Sequence, residues 1–222
     1  MDRSKILGLY HFDGDLNNYK GTGFIYNQTG YRSNQYSVSG NPEDIFCSFL
    51  DDGVFGKCAY LNGTNCLMPN PTYENASATK YSQISWDCWI KILSFSSNSM
   101  VWKYPSSFYL FYDGDACRPA ISGVDPWDQQ WHHYAVQFDN GIITVYIDGI
   151  KKGTINVSSS ITEIGKFIIL GANDPHNGGG YAEMLVDELR IMQGVQYDGN
   201  NFTPPTNPYL STKSIANNLK VE

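Results

Sequence analysis

The chain has 222 residues, 41% hydrophobic and 14% aromatic, which is enough for one large core and too apolar for a disordered segment. Its formal charge of −7 excludes the basic surface that nucleic-acid backbones require. No apolar run approaches a membrane span, and the start MDRSKILGLYHF lacks the apolar stretch of a signal peptide, so the sequence predicts synthesis in the cytoplasm and no membrane insertion.

Taken in chain order, the predicted elements are strand after strand. KILGLYHF, QISWDCWIKIL, SMVWKY, SFYLFY, WHHYAVQF, IITVYIDG, KFIILGA and EMLVDELRIM are short runs rich in β-branched and aromatic residues. Between them lie DGDLNNYKGTG, VSGNPED, NGTN, FDNG and NDPHNGGG, all turn chemistry. Asn140-Gly141 and Asp148-Gly149 predict two linked hairpins, because both dipeptides accept the positive φ of tight turns. One short helix is expected in STKSIANNLK and one helical turn in TYENASATKY. Many antiparallel strands joined by Gly, Pro and Asn turns predict an all-β, two-sheet jelly-roll sandwich. No linker or repeat divides the chain, so one domain is expected over residues 1–210, followed by a C-terminal extension at 211–222.

The five cysteines are an odd number without metal-type spacing. Cys88 is in phase with Trp86 and Ile90 and reads as a small buried hydrophobe, while a Cys58–Cys66 disulfide is an open alternative. VDELRIM raises a sharper question. Leu185, Asp187, Leu189 and Ile191 share a parity, so on a regular strand Asp187 points where the leucines point. A buried carboxylate needs a partner. Backbone N–H groups, Arg190 and Lys57 are the alternatives the sequence offers.

LYHFDGDLNN, FGKCAYLNG, ISWDCWIKI, WHHYAVQFDNGIITVYIDGIKKGT, IILGAN and VDELRIMQGVQYD occur in an order that resembles the laminin-G-like, concanavalin A-like lectin/glucanase domain. The tail VQYDGNNFTPPTNPY is similar to the variety found in phage tail-fibre proteins. The resemblance runs from Leu7 to about Tyr209. It implies two curved antiparallel sheets, and a structural calcium ion between the first and last strands. Asp13 and Asp187 match the acidic positions of that site, with a carbonyl of the Phe55-Gly56-Lys57 turn, at Gly56, as a third ligand; calcium takes such oxygen donors. On the residues alone, Asp13-Gly14 is equally a turn.

Catalysis is not expected. Retaining glucanases of the superfamily carry Glu-x-Asp-x-Glu or Glu-x-Asp-x-x-Glu on one strand, and neither Glu183, Asp187 and Glu188 nor Asp51 and Asp52 fit that spacing. His132 and His133 are neighbours on a strand, face opposite ways and read as structural. G-x-S-x-G, P-loop and dinucleotide motifs are absent.

Sugar sites need aromatic platforms with polar groups at their edges. The loop VDPWDQQ offers Trp127 and Asp128, and ANDPHNGGGY offers Asn173, Asp174, His176 and Tyr181 around three glycines. Loops between sandwich strands carry function more often than the strands do. The prolines of the tail, Pro204, Pro205 and Pro208, lack donors and suit a clamp lying across a sheet without pairing.

The reading is a non-catalytic module that recognises a cell-surface glycan, at the virion or an extracellular surface, as a homo-oligomer or attached to a larger fibre. A structural virion domain with protein contacts only, and a hydrolase with an unrecognised site, are the alternatives.

Overall fold

The strands are β1 (Ile6–Tyr10), β2 (Ile25–Thr29), β3 (Ser48–Leu50), β4 (Cys58–Asn62), β5 (Asn65–Pro69), β6 (Gln83–Phe95), β7 (Met100–Tyr104), β8 (Phe108–Phe111), β9 (Trp131–Asp139), β10 (Ile142–Ile147), β11 (Ile150–Asn156), β12 (Ile169–Leu170) and β13 (Ala182–Gln193). They come from a computed structural model that describes residues 5–15, 25–29, 48–69, 82–95, 100–104, 108–111, 128–156, 169–171 and 180–209. At 25–29, 68–69, 95, 100–104, 108–111 and 169 only the backbone is described. The helical expectations at 72–81 and 211–220 lie outside the described residues, among which there is no α-helix.

Every pairing is antiparallel. One sheet runs β11-β10-β9-β6-β13-β4-β3, with β1 also paired to β13; the other runs β2-β5-β12-β7-β8. The two expected hairpins are present, with positive φ at Asn140, Gly141, Asp148 and Gly149. β2, β3, β4 and β5 were not among the expected strands.

The large sheet has two covered faces. Its inner face carries Trp86, Cys88, Ile90 and Ile92 of β6, Tyr134, Val136 and Phe138 of β9, and Ile143, Val145 and Ile147 of β10. These pack in one cluster with Leu67 of β5 and Leu170 of β12 from the other sheet. Cys88 is fully buried as expected; Cys58 and Cys66 are free, so the disulfide alternative is discarded.

β13 corrects the parity argument for Asp187. Val186 is opposite Ile90 and Asp187 opposite Trp89, but the next partners are Arg190 with Asp87 and Ile191 with Trp86. Glu188 and Leu189 together face one gap, and Glu188 has φ of 52°. This bulge reverses the alternation. Ala182, Met184 and Val186 face the core before it, Leu189 and Ile191 after it. Asp187 shares a face with Leu185, as expected, but not with Leu189 and Ile191; it is on the outer face and is still only 1% exposed.

Two segments bury that outer face, the Asp51–Lys57 turn and the tail after β13. The tail is held around Asp87, itself 1% exposed. Asp87 accepts hydrogen bonds from Arg190, from the Tyr197 hydroxyl, and from the Tyr209 hydroxyl at 2.7 Å. The Arg190 guanidinium sits 4.0 Å from the centre of the Tyr209 ring. The Tyr197 amide donates to Gln137 Oε1 at 3.0 Å and the Tyr209 amide to Glu188 Oε2 at 2.9 Å. Phe202 stacks on Tyr197 with centroids 4.1 Å apart and meets the edge of His133, which is fully buried. The segment with Pro204 and Pro205 thus crosses the face without joining a ladder, as its missing donors require.

Gly149 fixes where the tail crosses. Its carbonyl accepts from the Phe202 amide at 2.8 Å, and a Cβ there would lie 1.8 Å from the Phe202 carbonyl oxygen. With φ of 73° as well, this position admits only glycine without rearrangement. Gly149→Ala is therefore expected to cost about 2–4 kcal/mol in urea unfolding and to expose the tail to protease. A cost below about 0.5 kcal/mol would contradict this docking.

Candidate functional site

Two regions hold the functional candidates. The first lies where β1 ends, beside the bulge of β13. The bulge places Asp187 against the turn before β4, where its Oδ2 accepts the Phe55 amide at 3.1 Å. Asp13 Oδ1 accepts the Lys57 amide at 3.1 Å from the other side of the turn. Neither Arg190 nor Lys57 pairs with Asp187: Arg190 is on Asp87, and Lys57 Nζ is 3.0 Å from Asp51.

Gly56 stands between the acids with φ of 140°, and a Cβ there would lie 2.6 Å from Asp13 Oδ1. Burial pushes the Asp187 carboxyl up to about 7, against the turn amides, with Glu188 and Asp13 adding repulsion. Glu188 itself is held by His11, whose Nδ1 is 2.6 Å from Oε1. Among the described residues no three His, Cys, Asp or Glu side chains converge on one point. Asp13, Asp187 and the turn carbonyls are the oxygen donors here that could hold a hard cation. The Gly56 carbonyl also accepts the Gly53 amide at 3.0 Å.

The second region is the end of the large sheet where β6 finishes and β9 and β13 begin. Asp128, expected as a ligand contact, accepts the Gln130 amide at 2.8 Å and lies 3.0 and 3.1 Å from His132 Nε2. The other ring nitrogen, Nδ1, is 2.6 Å from Asp148 Oδ2, and Asp148 Oδ1 accepts the His133 amide at 2.9 Å. His132 thereby ties the β10–β11 turn to the start of β9. His133 faces the opposite way, under the tail.

Next to Asp128, Gln129 has φ of 57° and its side chain donates to the Leu93 carbonyl at 3.3 Å. Trp131 is opposite Lys91, and its indole N–H donates to the Asp52 carbonyl at 3.0 Å; Lys91 Nζ lies 2.9 Å from Asp52 Oδ2. Glu183 accepts the Tyr60 hydroxyl at 2.5 Å and the Ser94 hydroxyl at 2.6 Å. Those bonds, Ser94 first, hold its carboxyl below the ordinary range.

Tyr181 lies at this same end, one residue before Ala182, which is opposite Phe95. Two of the expected ligand residues, Asp128 and Tyr181, are thus brought to one end of one sheet. Trp127, Asn173, Asp174 and His176 lie outside the described residues. Tyr60, Ser94 and Lys91 were not singled out from the sequence, and Glu183 was set aside for not fitting a glucanase motif. Only its alternation with Ala182, Met184 and Val186, which face the core, could have placed it on the outer face.

A laminin-G profile of the concanavalin A-like lectin/glucanases superfamily matches residues 71–196. The chain belongs to that family. Among solved structures it is similar to domain 4 of AbnA, a GH43 extracellular arabinanase from Geobacillus stearothermophilus, in complex with arabinotriose. That likeness has a TM-score of 0.57 and 22% identity over 86% of this chain and 93% of the other. The binding domain of Paraclostridial Mosquitocidal Protein 1 follows at TM-score 0.59 and 13% identity, over 88% of this chain and 50% of that one. Botulinum neurotoxin type C, whose cell entry depends on two ganglioside molecules, matches at TM-score 0.51 and 15% identity, over 89% and 49%. The chain spans about half the length of these toxin chains. At such identities these likenesses show the fold. No curated protein sequence matches significantly.

The His132 clamp gives a pH dependence. The bond to Asp148, opposed by burial and supplemented by Asp128, pushes its pKa from 6.5 up to about 9. A group raised on folding stabilises fully below its unfolded value and loses that contribution as pH climbs through its folded value. After allowance for the solvent around the aspartates, the wild type is expected to lose about 1–2 kcal/mol relative to His132→Gln between pH 6.5 and 9.5, read by urea unfolding. Parallel curves for the two proteins would contradict the clamp.

Proposed function

We propose that this chain is a non-catalytic module that recognises carbohydrate on a cell surface. The finer reading is a receptor-binding part of a phage tail fibre, displayed at the virion or extracellular surface. The observation that carries the recognition reading is the meeting of the Asp128 loop and Tyr181 at one end of the large sheet, in a fold of the lectin/glucanase superfamily. The described tail lies over the middle of the outer face, while Ser94, Asp128, Gln129 and Gln130 at that end are exposed.

The buried carboxylates support a role without catalysis. Asp87 is committed to Arg190 and the tail tyrosines, and Glu188 to His11 and the Tyr209 amide. Similarity to an arabinanase domain solved with arabinotriose, and to a neurotoxin described as depending on gangliosides, is consistent with a glycan partner. Single sugar contacts are weak, so the module would work as a homo-oligomer or attached to a larger fibre.

Calcium is the second part of the proposal. Asp13, Asp187 and a carbonyl of the Gly53–Lys57 turn, at Gly56, would hold the ion. When bound it would supply positive charge to the buried Asp187 carboxyl and would lock the turn onto β13.

One experiment addresses both parts: binding of the intact chain to a panel of multivalent bacterial surface polysaccharides, with calcium and with chelator, beside its melting temperature in each buffer. Selective binding is expected, together with a rise of about 5–10 °C at saturating calcium that Asp187→Asn removes. No binding to any glycan would overturn the recognition reading. An unchanged melting temperature would overturn the calcium site.

A further inference from the structure

The end of the large sheet has two irregular positions, a bulge in β6 and a left-handed residue in the turn before β9. The first is in β6. Glu183 is opposite Ser94 but Met184 is opposite Ile92, so Leu93 is an extra residue. On a regular strand Ser94 would be in phase with Ile92 and face the core. The bulge turns Ser94 to the outer face, where its hydroxyl bonds Glu183. The second is Gln129, a residue with a side chain in the left-handed region, held there by its bond to the Leu93 carbonyl. Such conformations cost free energy, and they gather where a binding surface is shaped. Both converge on Leu93.

The chemistry of what they present is specific. Glu183 accepts one hydroxyl on each oxygen, from Tyr60 and from Ser94. A carboxylate has about four lone-pair directions, so each oxygen keeps one for a further donor. Two parallel acceptors on a fixed carboxylate match the adjacent hydroxyls of a sugar ring. The hydroxyl oxygen of Ser94 adds an acceptor beside it. Two strands from Glu183, across β6, the Trp131 ring is held by its bond to the Asp52 carbonyl, and a fixed, half-buried indole suits the apolar face of a pyranose.

Charge narrows the ligand class. Lys91 and Lys57, the lysines on this side, each already sit on an aspartate, Asp52 and Asp51. Among the described residues Glu183 has hydroxyl partners and no cation. A sialic acid or uronate placed here would meet uncompensated negative charge.

We propose that Glu183, Ser94, Tyr60 and Trp131 form a subsite for a neutral saccharide unit, with Glu183 accepting two adjacent hydroxyls and Trp131 packing on the ring face. The subsite rests on the recognition reading above and gives it a location and a ligand class.

The test compares the intact wild-type chain with Glu183→Gln and Tyr60→Phe on arrays of neutral polysaccharides (mannan, galactan, arabinan, β-glucan) and of sialylated and uronate-containing ones. The expected result is binding confined to neutral glycans. It falls by about tenfold or more in Glu183→Gln and by a smaller factor in Tyr60→Phe, with melting temperatures within about 2 °C of wild type. Undiminished binding by Glu183→Gln would overturn the subsite and leave the recognition reading standing. Preference for acidic glycans would overturn the ligand class. Silence of the wild type on every glycan would overturn the subsite and the recognition reading together.

Discussion

A buried carboxylate, Asp87, sets the arrangement of the outer face. An ion 1% exposed to solvent would be costly alone, and removing one partner of such a pair typically costs several kcal/mol. Here three side chains answer it. Arg190 comes from the neighbouring strand, and Tyr197 and Tyr209 from the segment after it. Because the tyrosines are part of the solution, the tail is not an appendage. Tyr209 in turn packs with Ile6, Leu9 and Met192, so the same contact joins the first strand, the last strand and the tail.

The irregular positions of the sheet divide its labour. The bulge at Glu188 sends Asp187 to the turn before β4 and lets Glu188 reach both His11 and the Tyr209 amide. It ties the residue after β1 to the tail and sets Asp187 where the proposed cation would sit. The bulge at Leu93 acts at the other end of β13, where Ser94 and Glu183 meet in the open. One strand therefore serves stability through its second half and carries the proposed subsite at its first. The covering tail makes that separation sharp, since its described residues occupy the face around Asp87 and His133.

The fold was legible because β6, β9, β10 and β13 alternate over many residues and the Asn140-Gly141 and Asp148-Gly149 turns have their own chemistry. The short strands β2, β3 and β5 carry too few residues for a period of two to stand out. Parity failed at a definable place: Asp187 and Leu185 share a face as the alternation says, but one bulge at Glu188 inverts everything after it. Nothing local in VDELRIM announces that bulge. The pairing of Asp87 with Arg190 spans 103 residues and becomes visible only once β6 lies beside β13. Glu183 illustrates the same limit. It fails as part of a catalytic motif in sequence, and its partners Tyr60 and Ser94 are 123 and 89 residues away.

The claim on which the rest depends is that the tail folds with the sandwich and closes its outer face. Native-state hydrogen exchange on the intact chain tests it most directly. The Tyr197 and Tyr209 amides, bonded to Gln137 and Glu188, should open with the same free energy as amides at the centre of β6 and β13. Exchange of the two tail amides orders of magnitude faster, with the strands still protected, would show a separable tail and contradict the account.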